Sequence, residues 1–180
     1  DCAEFVGLTE ALNEGHYLVP RMTLSERQTA ITAPILLCGG TISERLVERI
    51  THDTGNEPDQ LPIMQHALMR TWDFWQNTKV DNQPIDITHY EAIGTMKEAL
   101  SRHAEEVYQE LPDTHSRQIT EKLFKSLTNL GVDSRGTRRP TSLAEICKIT
   151  GSKDEQVIDI IESFRQTGRS FLMPPISVDI

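Results

Sequence analysis

Apolar residues along this 180-residue chain recur every three or four positions much more often than they alternate. Ile42, Leu46, Val47 and Ile50 share one helical face. Leu100, His103, Ala104, Val107, Tyr108 and Leu111 share another, followed by Ile119, Leu123, Leu127 and Leu130, then Val157, Ile160, Ile161 and Phe164. From Leu61 to Trp75 the apolar positions (Ile63, Met64, Ala67, Leu68, Trp72) cover more than one face, which predicts a helix buried between others.

Helix starts are marked by the S/T-x-x-E capping box, in which a hydroxyl satisfies one orphan N–H and a carboxylate another. It occurs at Thr23…Glu26, Thr41…Glu44, Thr88…Glu91, Thr95…Glu98, Ser142…Glu145 and Ser152…Glu155. Strand signals are few. His16 to Val19 is a short apolar run closed by Pro20, and Thr137–Pro140 and Ser170–Met173 are further candidates. Breakers at Pro34, Gly39-Gly40, Gly55 to Pro58, Asp81 to Pro84, Pro112, Gly131 to Gly136 and Pro174-Pro175 mark the joints.

These signals predict a mainly α chain: a helical bundle followed by a winged-helix-like domain with short strands. Residues 1–22 read as a helix and a strand without a partner strand. A lone strand leaves its backbone groups unpaired, so it is expected to close a sheet in preceding sequence. Residues 23–111 read as a helical group. Residues 112–180 run helix, short strand, helix, tight turn, helix, strand, with Leu143–Ile149 and Ser152–Arg165 joined at Thr150-Gly151 as a helix-turn-helix pair. The start at Asp1, inside a helical pattern and without an initiator Met, adds the expectation of a piece of something longer.

Eighteen Lys and Arg against 27 Asp and Glu give a net charge of −9. That balance disfavours broad binding to nucleic acid or anionic membranes, which clustered cations hold. No apolar run nears the ~20 residues that span a bilayer, and a soluble, cytoplasmic chain is expected. Cys2, Cys38 and Cys147 are odd in number and far apart, the pattern of free thiols in a reducing compartment rather than of disulfides or zinc ligands.

The phosphate-cradling G-x-x-x-x-G-K-[ST] and G-x-G-x-x-G loops are missing from the sequence, as is the G-x-S-x-G nucleophile elbow. The histidines at 16, 52, 66, 89, 103 and 115 form no H-x-x-x-H or Glu-x-x-His pair, and His103 on its apolar stripe reads as a hydrogen-bonded core residue. No metal site, no catalytic residue and hence no enzyme is expected in this chain. The densest cation cluster is Arg135, Arg138 and Arg139 around Gly136. Guanidinium forks in such a loop suit phosphate or carboxylate, while pairing with nearby acids or simple solvation explains them equally. Pro62, in Gln60-Leu61-Pro62-Ile63, occupies a favoured helix-start position. The second helix of the helix-turn-helix carries Lys153 and Arg165 against Asp154, Glu155, Asp159 and Glu162, a poor face for a DNA groove.

Tyr17-Leu18-Val19-Pro20-Arg21-Met22, Ala30-Ile31-Thr32-Ala33-Pro34 and Leu61-Pro62-Ile63-Met64-Gln65-His66-Ala67-Leu68-Met69-Arg70-Thr71-Trp72 resemble the C-terminal half of a novel STAND-type NTPase. Tyr90-Glu91-Ala92-Ile93-Gly94, Ala99-Leu100-Ser101-Arg102-His103-Ala104 and Thr137-Arg138-Arg139-Pro140 follow in the same order, so the resemblance covers nearly the whole chain. It implies a nucleotide-switched signal-transduction ATPase of the kind found in bacteria with WD-type repeats or other sensor and effector modules. Residues 1–22 would end the NTPase core, residues 23–111 form its AAA-like lid and residues 112–180 its winged helix. The implied cofactor is ATP or ADP, bound by the intact parent through an upstream P-loop, with none held tightly by this chain alone. The implied partners are that core, the attached modules and self-assembled copies.

By the same resemblance, Pro62 stands for the proline of a lid Gly-x-Pro motif that approaches the nucleotide, although Gln60-Leu61 replace the glycine here. Arg138 and Arg139 have the chemistry to sense a bound diphosphate. The lid and winged helix would then close on the core with diphosphate bound and open on exchange. Two other readings remain open on the residues: a helical protein-interaction adaptor whose arginines bind an acidic partner, and a winged-helix DNA-binding regulator.

Overall fold

A computed structural model describes residues 21–55, 60–80, 82–130, 136–169 and 171–174. Cys2, the expected strand at 16–19 and Arg135 lie outside them. The described chain is mainly helical, with one small two-stranded antiparallel sheet. It divides into two compact units, residues 1–92 and 93–180.

In the first unit, α1 (Leu24–Leu37) begins as predicted: the Glu26 amide donates to Thr23 Oγ1 at 3.2 Å, and the Thr23 amide to Glu26 Oε2 at 2.7 Å. The Thr23 amide and, at 2.9 Å, its hydroxyl both donate to Oε2 and hold the Glu26 carboxyl below its ordinary range. Helix α2 (Glu44–Thr54) starts from Ser43, not Thr41; the Ser43 side chain accepts from the Leu46 amide at 3.3 Å. The shift has a backbone cause. Ile42 forms a parallel bridge with Ile85, in which Ile85 N–H donates to Thr41 O at 2.8 Å and Ser43 N–H to Ile85 O at 2.9 Å. The chain is therefore extended through Ile42 and turns helical only beyond it.

Leu46, Val47 and Ile50 of α2 are buried as their spacing predicts. Thr51 and Thr54 join them because their hydroxyls donate to the carbonyls of Val47 and Ile50 four residues back. Helix α3 (Gln60–Thr78) buries Met64, Ala67, Thr71 and Trp75, one stripe at intervals of three or four. Helix α4 (Ile87–Ala92) completes the unit. Thr88 lies inside it, so the expected box with Glu91 is not its start. His89, three residues after Asp86, instead takes the Asp86 amide on Nδ1 at 3.0 Å.

The second unit holds α5 (Thr95–Glu110), α6 (Thr114–Ser126), β1 (Thr128–Leu130), β2 (Gly136–Arg138), α7 (Leu143–Thr150) and α8 (Asp154–Arg165). Its core joins Val107, Ile119, Leu123, Ile146, Val157 and Phe164. Leu100, read onto the α5 stripe, is 46% exposed, and Met96 and Ala99 are buried instead. The stripe from Ile119 to Leu130 is split: α6 ends at Ser126, and Leu130 belongs to β1, where Thr128 faces Arg138 across the hairpin. The late strand falls at Gly136–Arg138 rather than Thr137–Pro140, and Phe171 to Met173 form no strand.

Asp113 caps α6 by accepting from the Ser116 amide at 2.7 Å, a cap the box pattern passes over. Ser142 caps α7 as expected, and left-handed Gly151 (φ 73°) closes it. Helix α8 starts after Lys153, whose amide donates to Gln156 Oε1, so Ser152 is not its cap.

Candidate functional site

The three residues singled out by sequence fall in both units: Pro62 in the first, Arg138 and Arg139 in the second.

Pro62 lies in the first turn of α3, where a missing N–H costs nothing. It is exposed, on the wall of an apolar groove of about 540 Å³ between α1 and α3. Ile31, Pro34 and Ile35 form the α1 wall, with Leu61, Leu68 and Trp72 facing them from α3. The groove corrects the expectation for α3. One stripe of that helix is buried within the unit, while the second, with Leu61, Gln65, Leu68 and Trp72, borders this open concavity.

Two backbone features shape the groove. Pro34 sits inside α1 close to its end, and the helix closes with Cys38 N–H on Pro34 O and Gly40 N–H on Ile35 O at 2.9 Å. Gly40 then runs under the Trp72 ring, where a Cβ would stand 2.7 Å from the indole. Trp72 in turn meets Trp75 with ring centroids 5.1 Å apart. Gly39-Gly40 is thus a helix exit that lets an indole approach the backbone, in keeping with a sequence that has no lysine there to hold phosphate.

No charged side chain is among the described residues that line the groove; Gln65 and the Cys38 thiol are its polar groups. Such a lining suits an apolar or planar surface and is unsuited to a phosphate or a metal ion. No cluster of three or more His, Cys, Asp or Glu able to hold a metal occurs among the described residues. No described helix is long and apolar enough to cross a membrane.

Arg138 and Arg139 stand where β2 ends, both exposed. The Arg139 amide donates to Leu127 O at 2.8 Å, and its guanidinium donates to Glu145 Oε1 at 2.6 Å in the first turn of α7. Arg138 makes no ion pair or side-chain hydrogen bond with a described residue. Among the described residues the neighbouring arginines therefore differ: Arg139 is held by an acid and Arg138 is not.

Sequence reasoning also misplaced one cation. Arg165, counted on the face of α8, is 2% exposed. Its Nε donates to Pro174 O at 2.6 Å, and its guanidinium pairs with Glu162. It serves to anchor the segment after α8, and the exposed surface of that helix keeps Lys153 against Asp154, Glu155 and Asp159. The α1 wall of the groove was missed as well. The signal was present in Ile31, Pro34 and Ile35, one apolar turn opposite the doubly apolar α3.

Residues 1–174 match the family model described as Novel STAND NTPase 1. No curated protein and no solved structure matches the chain.

Proposed function

We propose, because the chain belongs to the Novel STAND NTPase 1 family, that it is the regulatory portion of a signalling ATPase. Residues 23–111 act as the lid, and residues 112–180 act as the winged helix. The family match over 1–174 is the observation that carries this reading. The P-loop and the metal-binding acid belong to an upstream core, and ATP or ADP binds the intact parent. This segment performs no chemistry of its own. It works in the cytoplasm, and its partners are that core, the attached sensor or effector modules and other copies, not nucleic acid or membrane.

Each site residue has a role consistent with its surroundings. Pro62 lies on an apolar wall without charge, so its contribution is van der Waals contact with the planar part of a nucleotide. Arg138, without an acid partner among the described residues, is the better sensor of a diphosphate; Arg139 must first leave Glu145. Closure with diphosphate bound and loosening on exchange is then a population shift, biased by the difference in affinity between the two states.

The test is diphosphate affinity in the intact parent. Arg138→Ala is expected to weaken it about tenfold, the size of one charge-assisted contact. Arg139→Ala is expected to weaken it less. Unchanged affinity in both variants would remove the arginines from the mechanism. Pro62→Ala tests the groove separately, by its effect on binding of the nucleoside alone.

A further inference from the structure

Just past Ala92, where the first unit ends, the backbone is left-handed twice in succession: φ is 85° at Gly94 and 56° at Thr95. Glycine adopts this conformation freely. A β-branched residue does not, because its side chain crowds the neighbouring backbone.

Thr95 also contradicts its own sequence. Thr95-Met96-Lys97-Glu98 spells a capping box, yet the box is not formed. Gly94 occupies the N-cap position of α5 without a side-chain cap, and Thr95 is the first helical residue. The Glu98 amide donates to Gly94 O at 3.1 Å. Thr95 Oγ1 accepts instead from the Lys97 amide at 3.3 Å. The Glu98 carboxylate is turned to Arg102, whose Nε and a terminal nitrogen donate to it at 2.9 and 2.6 Å. That pair lies over Gly94, where a Cβ would stand 2.7 Å from Arg102 Nε and 2.8 Å from Glu98 Cβ.

We propose that Gly94-Thr95 is a two-state helix entry. In the second state Thr95 has extended backbone and becomes the N-cap of α5. The Glu98 amide then exchanges the Gly94 carbonyl for the Thr95 hydroxyl, and the Thr95 amide gains the Glu98 carboxylate. The left-handed strain at Thr95 is released, and the Arg102–Glu98 contact is given up. That contact is about half exposed, so its loss costs little. Four hydrogen bonds give way to two, but two of the four are the half-exposed Arg102 contacts. The release of strain at Thr95 offsets the rest, which leaves the two states close in free energy and open to bias. The two states differ in the backbone direction at the entry to α5. The inference rests on this backbone geometry and is independent of the nucleotide reading.

The experiment uses the full chain and reads the backbone NMR shifts of Thr95 and Glu98 with the Thr95 HN–Hα coupling. The unaltered entry should report positive φ at Thr95. Gly94→Ala, which crowds Arg102, and Arg102→Ala, which frees Glu98 from that contact, should each move Thr95 to extended φ. Thr95→Gly, free of the left-handed penalty, should raise the melting temperature. If Gly94→Ala does not fold, Arg102→Ala at its exposed site carries the test. A Thr95 that stays at positive φ in Arg102→Ala overturns the proposal.

Discussion

Ser43 Oγ donates to Asp86 Oδ1 at 2.6 Å, so the residue that caps α2 is held by the residue that precedes α4. Asp86 also receives the Arg45 guanidinium. The Ser43 oxygen thus acts as acceptor for the Leu46 amide and donor to a carboxylate, and each bond orients the other.

Ser43→Ala is expected to destabilise the first unit by about 1–2 kcal/mol, through loss of the cap and of the Asp86 contact. Asp86→Ala should cost a similar amount. In urea titrations the double variant should fall short of the sum by about 0.5–1.5 kcal/mol, because both changes remove the same bond. Strict additivity would show that the 2.6 Å contact contributes nothing.

His89 supplies the pH dependence. It is buried, its ring meets Phe74 edge-on, and Nδ1 accepts the Asp86 amide, so the folded state needs the neutral imidazole. Burial pushes its pKa below the ordinary value of 6.5. The unfolded chain therefore binds the proton more readily. The stabilisation is complete above pH about 6.5 and is lost as pH falls toward the depressed folded value. His89→Gln places a non-titrating acceptor at the third helical position, as in a capping box. Its urea midpoint should change less between pH 7.5 and 5.5 than that of the unaltered chain. An equal change in both would assign the acid sensitivity to other groups.

Gly40→Ala probes the groove. The new methyl would meet the Trp72 ring at 2.7 Å, and the ring has Trp75 beside it. Overpacking of this kind costs about 1–3 kcal/mol. The indole emission should move to longer wavelength as Trp72 is displaced toward water. Gly39→Ala has open space for its Cβ but pays for a left-handed backbone (φ 75°), so it should destabilise without the spectral change.

The parts of the fold that were legible in the sequence are those governed by local chemistry. Thr23 and Ser142 cap helices as their boxes predict, and Val157, Ile160, Ile161 and Phe164 are buried together as their spacing predicts. The misreadings come from contacts distant in sequence. Thr41 loses its cap because Ile42 bridges to Ile85, and Leu130 leaves the α6 stripe because β1 pairs with β2. Arg165 reads as a surface cation until Pro174 returns to meet it. Of the candidate site, the place of Pro62 in the first turn of a helix was legible. The groove beside it was not, since it needs α1 and α3 to be set facing each other.

The Ile42–Ile85 bridge also bears on how the first unit comes apart. Two backbone hydrogen bonds and the Ser43–Asp86 contact close a long loop that contains α2 and α3. Rethreading such a loop has an entropic cost that grows only slowly with its length, so the clasp holds nearly as well as one on a short turn. Neither helix can peel away while the clasp holds, and releasing either end of it frees both. In amide exchange, Ile85 and Ser43 should therefore open together, as a latch with two faces rather than as two frayed ends.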